Sequence, residues 1–117
     1  MKRLLIVDDD ARFRELARLL LEGAPEFAVV GEAPDGATAL EASRELGPDV
    51  VLLDVNLPDA NGFELVPQLA EPGGRTSVVL VSSRDDDGYV RMAEDAGAAG
   101  FLSKYDFSPA AIARIVG

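Results

Sequence analysis

Apolar positions along this chain fall into short unbroken runs separated by amphipathic stretches. Leu4-Leu5-Ile6-Val7, Val50-Val51-Leu52-Leu53 and Val78-Val79-Leu80-Val81 are continuous apolar runs, the pattern of strands buried on both faces, as in a parallel sheet. Phe27–Val30 and Phe101–Ser103 read as two further strands. Between the runs the spacing becomes helical. Phe13, Leu16, Ala17 and Leu20 recur through a first helix over Ala11–Leu21, which Gly23 and Pro25 end. After the Asp35-Gly36 turn a second helix covers Ala37–Leu46, closed by Gly47-Pro48, and Phe63–Ala70 forms a third, short because Pro67 lies inside it. Pro72-Gly73-Gly74 is a break. Asp85-Asp86-Asp87 opens a fourth helix running to about Ala96, acids suiting the positive end of its dipole. Ser108-Pro109 is a cap followed by a first-turn proline, and the last helix runs from there to Gly117. Strand and helix alternate, which predicts an α/β fold with a parallel sheet covered by helices on both faces.

At 117 residues the chain is long enough for one domain with a real core. Acidic residues outnumber basic ones 21 to 11, and the net charge of −10 argues against binding of nucleic acid or an anionic membrane by this domain. The chain has neither cysteine nor histidine, which removes disulfides, thiolate metal sites and histidine catalysis. No apolar run approaches the roughly 20 residues of a membrane span, and the run after Lys2-Arg3 is too short for a signal peptide. A cytoplasmic location is expected.

The chemistry gathers at the ends of the strands. The first strand runs into Asp8-Asp9, the third into Asp54, the fourth into Ser82 and the fifth into Lys104. Open α/β sheets bind ligands outside the carboxyl ends of their strands, so these residues are expected on one edge. Carboxylates crowded there repel one another, which a hard divalent cation such as Mg2+ relieves. Lys104 adds a charge able to pair with Asp54 or a phosphate oxygen, and Ser82 a hydroxyl donor. A carboxylate nucleophile, a metal and two donors make a site for phosphoryl transfer, which needs mainly positioning and charge neutralisation. Each residue has a plainer reading when taken alone. The Asp8-Asp9-Asp10 run is then a capping cluster, with Asp10 the cap, Ser82 satisfies a strand-end backbone group, and Lys104 is a surface lysine. Phe101 is a partly buried core aromatic.

Taken together, these residues resemble the receiver domains of two-component response regulators over essentially the whole chain. The resemblance rests on Asp8-Asp9, Asp54, Ser82, Lys104 and the Leu57-Pro58 and Asn61-Gly62 turn. It implies a flavodoxin-like, doubly wound sheet of five strands in the order 2-1-3-4-5, with 1–117 as a single receiver domain. It implies Asp54 as phospho-acceptor, with Asp9, Asp54 and the main-chain carbonyl of Asn56 as direct Mg2+ ligands and Asp8 helping to hold the metal through water. Ser82 and Phe101 take the family's switch positions, Ser83 is small as a phosphoryl site requires, and Asn56 and Arg84 stand where they tune phosphoryl lifetime. The implied partners are a histidine kinase or histidine phosphotransfer protein, and an output partner or second receiver docking on helix four, strand five and helix five. Such a domain is not an enzyme beyond its own phosphorylation and dephosphorylation. Tyr105 departs from the cis-proline usual after the lysine, as in receivers of the NarL type; a non-proline bond there is expected to be trans. The last helix looks short, so the chain is either a stand-alone receiver or one part of a longer regulator. Two competing functions remain: a haloacid-dehalogenase-type phosphatase with Asp8 as nucleophile, and a degenerate receiver that binds a partner without phosphorylation.

Overall fold

A computed structural model describes residues 1–70, 75–84 and 88–117. The expected break at Pro72-Gly73-Gly74 and the helix start at Asp85-Asp86-Asp87 lie outside the described residues. In chain order the elements are β1 (Lys2–Val7), α1 (Ala11–Glu22), β2 (Phe27–Ala33), α2 (Gly36–Leu46), β3 (Val50–Asp54), α3 (Gly62–Leu69), β4 (Ser77–Ser82), α4 (Tyr89–Ala96), β5 (Gly100–Ser103), a 3-10 turn (Lys104–Asp106) and α5 (Pro109–Val116). The strands form one parallel sheet in the order β2-β1-β3-β4-β5.

The unbroken apolar runs are explained by two cores. Alternate residues of a strand point to opposite faces. Leu5, Val7, Val51, Leu53, Val78 and Leu80 pack on one side, against residues such as Ala39 of α2, Phe63, Val66 and Leu69 of α3, and Ala93 of α4. Leu4, Ile6, Val50, Leu52, Val79 and Val81 pack on the other, against Phe13, Ala17 and Leu21 of α1 and Ile112 of α5. A strand sandwiched in this way has no polar face to show.

Helix starts follow local capping rules. Asp10 Oδ1 accepts from Arg12 N at 3.0 Å, Asp35 Oδ1 from Thr38 N at 2.8 Å, and Ser108 Oγ from Ala111 N at 3.0 Å. Two features differ from the sequence reading. The buried stripe of α1 is Phe13, Ala17 and Leu21, while Leu16 and Leu20 are largely exposed, because only the first set points straight at the sheet. The chain after β5 tightens into the 3-10 turn, with Ser103 Oγ accepting from Tyr105 N at 3.2 Å. Among the described residues no peptide bond is cis, and no helix is long and apolar enough to cross a membrane.

Candidate functional site

Asp54 is the last residue of β3, which lies between β1 and β4, and it is only 5% exposed. The chain folds back directly behind it. Leu57 N donates to Ala60 O at 3.1 Å, Gly62 N to Val55 O at 2.6 Å, and Asn56 bridges Asn61. A side chain at position 62 would not fit: a Cβ there would sit 2.5 Å from the Asp54 carbonyl oxygen and 2.8 Å from Val55 Cα. This close approach lets the turn fold tightly enough for Asn56 N to donate to Asp54 Oδ1 at 3.2 Å.

Asp8 follows β1 and is fully buried. Its Oδ1 accepts from Asp10 N at 2.8 Å. Its Oδ2 pairs with the Lys104 ammonium, 2.8 Å from Nζ. Lys104 Nζ is farther from Asp54 Oδ2, at 3.6 Å. The lysine thus pairs first with Asp8 and only second with Asp54, the partner the sequence suggested, because the fully buried carboxylate has the greater need of a counter-charge. The ammonium also lies 4.6 Å from the centre of the Phe13 ring, and Phe13 packs edge-on against Phe107 at 5.6 Å.

Asp9 is exposed, yet one oxygen from each of Asp8, Asp9 and Asp54 falls within 4.8 Å of the others. The crowding has an electrostatic signature. Burial pushes the Asp54 carboxyl up to about 6, and the Asp8 charge adds to the rise; Lys104, the Asn56 N–H and Asp9 exert smaller effects, the first two lowering it. Burial pulls the Lys104 ammonium down, but the adjoining Asp8 and Asp54 carboxylates outweigh it, and the group ends above its ordinary value. Oxygen-only donors brought within 4.8 Å of one another and a carboxyl resisting ionisation are compatible with a hard cation such as Mg2+.

Ser82 ends β4, fully buried, and stands beside Ser103 in the β4–β5 register. Its Oγ accepts from Arg84 N at 3.0 Å, so the plain strand-end role is present. The hydroxyl proton can still serve as a donor. Ser83 and Arg84 are exposed in the loop that follows. Phe101 pairs in register with Leu80, and its half-buried ring meets Tyr89 edge-on at 5.5 Å. Tyr89 in turn meets Phe63 at 5.3 Å. Asp8, Asp9, Asp54 and Lys104 therefore come together, Ser82 ends the strand next to β3, Asn56 bonds to Asp54, and Phe101 packs on the α3 and α4 side.

Sequence reasoning missed several supports. Arg14 Nη1 donates to the Asp8 carbonyl at 2.5 Å while its Nε meets Glu32 Oε1 at 3.2 Å, and Arg18 holds the other Glu32 oxygen at 2.7 Å. This network ties the acidic loop to β2. Arg14 stands next to the buried Phe13 on α1, which was a hint, but its partner on β2 is set by strand order alone. Ser103, Phe13, Tyr89 and Asp59 were missed for the same reason.

A buried carboxylate at the carboxyl edge of a five-stranded 2-1-3-4-5 sheet, ringed by two further acids and a lysine, defines a class of signalling domain, and sequence comparison agrees. The sequence model of the response regulator receiver domain family matches residues 4–116, and the chain belongs to that family. It is 39% identical over 108 residues to the nitrate/nitrite response regulator protein NarL of Escherichia coli (strain K12), covering 91% of this chain and 49% of that protein. It is 37% identical over 102 residues to the transcriptional regulatory protein DegU of Brevibacillus brevis, covering 87% of this chain and 43% of that one. Among solved structures, the signal receiver domain of the putative response regulator NarL from Mycobacterium tuberculosis superimposes with a TM-score of 0.86 at 36% identity, covering 99% of this chain and 97% of that one. The chain spans about half the length of the curated relatives it matches. It is a receiver domain of two-component signalling, similar to those of the NarL type.

Proposed function

We propose that residues 1–117 act as one phospho-acceptor domain, in which Asp54 takes a phosphoryl group from a phosphohistidine on a histidine kinase or histidine phosphotransfer protein. An Asp54 carboxylate oxygen attacks phosphorus, the bond from phosphorus to the imidazole nitrogen breaks, and the histidine keeps the electron pair. The observation that carries this reading is the placement of Asp54 at the sheet edge, with two carboxylates within 4.8 Å and the Lys104 ammonium at 3.6 Å. Asp8, Asp9, Asp54 and the Asn56 main-chain carbonyl would hold Mg2+. Bound there, Mg2+ supplies the positive charge that lets these acids share an edge with an incoming phosphoryl group. Lys104, already paired with Asp8 and close to Asp54, offers a cation to a phosphoryl oxygen, and Ser82 offers its O–H.

A dianionic phosphoryl group is a stronger acceptor than a carboxylate. It draws in Ser82, shifts the loop after β4, and makes room for Phe101 to turn inward, shifting a pre-existing balance of states. The surface of α4, β5 and α5 then presents a different shape to an output partner or a second receiver. Asn56 and Arg84, in the loops after β3 and β4, set the lifetime of the phosphoryl group. The domain works in the cytoplasm, turns over no external substrate, and leaves contact with DNA to other parts of a regulator, in keeping with its charge of −10.

Labelling with acetyl phosphate and Mg2+, followed by mass-spectrometric mapping of the modified residue, tests this directly. Modification at Asp54, lost in Asp54→Asn, is expected. Modification at Asp8 would instead indicate a phosphatase of the haloacid dehalogenase class, and modification at neither a receiver that works by binding alone.

A further inference from the structure

The turn behind Asp54 is tied to a helix that takes no other part in the site. Asp59 lies in the turn closed by the bond from Leu57 N to Ala60 O. Its carboxylate accepts from Gly36 N at 2.7 Å and from Ala37 N at 3.0 Å, the first two N–H groups of α2. Asp35 takes Thr38 N through its side chain at 2.8 Å, and its carbonyl accepts the first regular helix bond, from Ala39 N at 3.0 Å. The three opening N–H groups of α2, those of Gly36, Ala37 and Thr38, are thereby satisfied, two of them by a residue 22 or 23 positions away. The fit is close: a Cβ at Gly36 would lie 3.1 Å from Ala60 Cβ and 3.2 Å from Asp59 Oδ1. Two bonds from one carboxylate at the positive end of a helix make a strong and directional anchor.

The anchored turn reaches the reactive carboxylate through one residue. Asn56 is held by its bridge to Asn61, and its N–H donates to Asp54 Oδ1 at 3.2 Å. We propose that Asp59 is a positioning residue for the metal-binding edge: by gripping the start of α2 it fixes Asn56, which orients the Asp54 carboxylate and contributes a main-chain carbonyl to the metal. This rests on the Mg2+ site proposed above. Asp59 itself touches neither metal nor phosphoryl group.

Asp35 provides the control, because it caps the same helix without holding the turn. Mg2+ titrations of the full chain followed by NMR, together with amide hydrogen exchange on the metal-free protein, compare the parent with Asp59→Ala, Asp59→Asn and Asp35→Ala. Asp59→Ala is expected to weaken Mg2+ binding by about tenfold, the low end of what loss of an outer-shell partner does. It should also speed exchange at the Leu57 and Gly62 amides. Asp59→Asn, which keeps one acceptor oxygen, should fall between Asp59→Ala and the parent. Asp35→Ala should lower the melting temperature while leaving Mg2+ affinity and those two amides unchanged. Exchange at Leu57 and Gly62 that stays at the parent rate in Asp59→Ala overturns the proposal. So does an equal effect in Asp35→Ala, or faster exchange with Mg2+ affinity intact. A parent chain that binds no Mg2+ would overturn the metal reading instead, and the exchange comparison would still decide whether Asp59 holds the turn.

Discussion

Asp54 sits where its own charge is costly. Burial, and then the Asp8 carboxylate, push its carboxyl from 3.8 to about 6, and the opposing pull of Lys104 and the Asn56 N–H does not cancel the rise. A carboxyl raised in the folded state binds more protons there than in the unfolded chain between those two values, so stability falls as pH rises through that window. The contribution is fully present below the unfolded value, lost as pH rises through the folded one, and absent at neutral pH. Lys104 does not confuse this window, because its raised value matters only at strongly alkaline pH. Asp54→Asn, which cannot ionise, should therefore melt higher than the parent at pH 7 without metal, and the gap should close near pH 4. Saturating Mg2+ should narrow it at pH 7 by stabilising the folded parent. Melting curves followed by circular dichroism from pH 4 to 8 make the comparison; curves that coincide at every pH would show that the carboxylates do not strain the fold. Asp9 is exposed and ranks last among the causes, so Asp9→Asn should show a smaller version of the effect.

At the scale of elements, the site depends on how tightly the chain turns between β3 and α3. The added Cβ in Gly62→Ala would meet backbone on two sides, the Asp54 carbonyl at 2.5 Å and Val55 Cα at 2.8 Å. Neither is the yielding end of a side chain, so the turn or the end of β3 has to move. A cost of about 2–3 kcal/mol is expected, at the upper end for overpacking, read as a lower urea midpoint with an unchanged slope. The bond from Gly62 N to Val55 O and that from Asn56 N to Asp54 should weaken together. A variant within about 0.5 kcal/mol of the parent, the usual range for surface substitutions, would mean that the turn is looser than this geometry. The aspartates near this turn play unlike parts for a simple reason: Asp54 ends a buried strand, whereas Asp59 is exposed and has a helix terminus within reach.

Across the whole molecule, the sheet separates α1 and α5 from α2, α3 and α4. The second side carries an aromatic row, Phe63 on α3, Tyr89 on α4 and Phe101 on β5, with edge-on spacings of 5.3 and 5.5 Å. Such contacts contribute roughly 0.5–1.5 kcal/mol each beyond burial. Phe101 packs edge-on against Tyr89 at the start of α4, so a turn of its ring on phosphorylation would change that contact. With beryllofluoride on Asp54 standing in for the phosphoryl group, NMR shifts in the presence of Mg2+ should reach Phe101, Tyr89 and the α4 segment from Val90 to Glu94. In Phe101→Leu the shifts at Tyr89 and α4 should shrink while those near Asp54 and Lys104 persist. Shifts confined to Asp54, Ser82 and Lys104 in the parent would reduce Phe101 to a core residue.

The parts of this protein that follow from near neighbours in the chain could be read in advance. Unbroken runs such as Val50–Leu53 specify strands buried on both faces, and Asp10 and Ser108 specify helix starts, because periodicity and capping act over three or four residues. The acids, Ser82 and Lys104 were legible as a group because each ends a strand, and parallel strands bring their carboxyl ends to one edge. The partner each residue takes there was not legible. Lys104 pairs first with Asp8, Arg14 braces the Asp8 loop from Glu32, Asp59 caps a distant helix, and Tyr89 packs on Phe101. Leu16 and Leu20 share the helical spacing of the α1 core residues yet remain largely exposed. These outcomes depend on strand order, register and the depth at which each helix sits, so they come into being only when segments far apart in the chain are packed together.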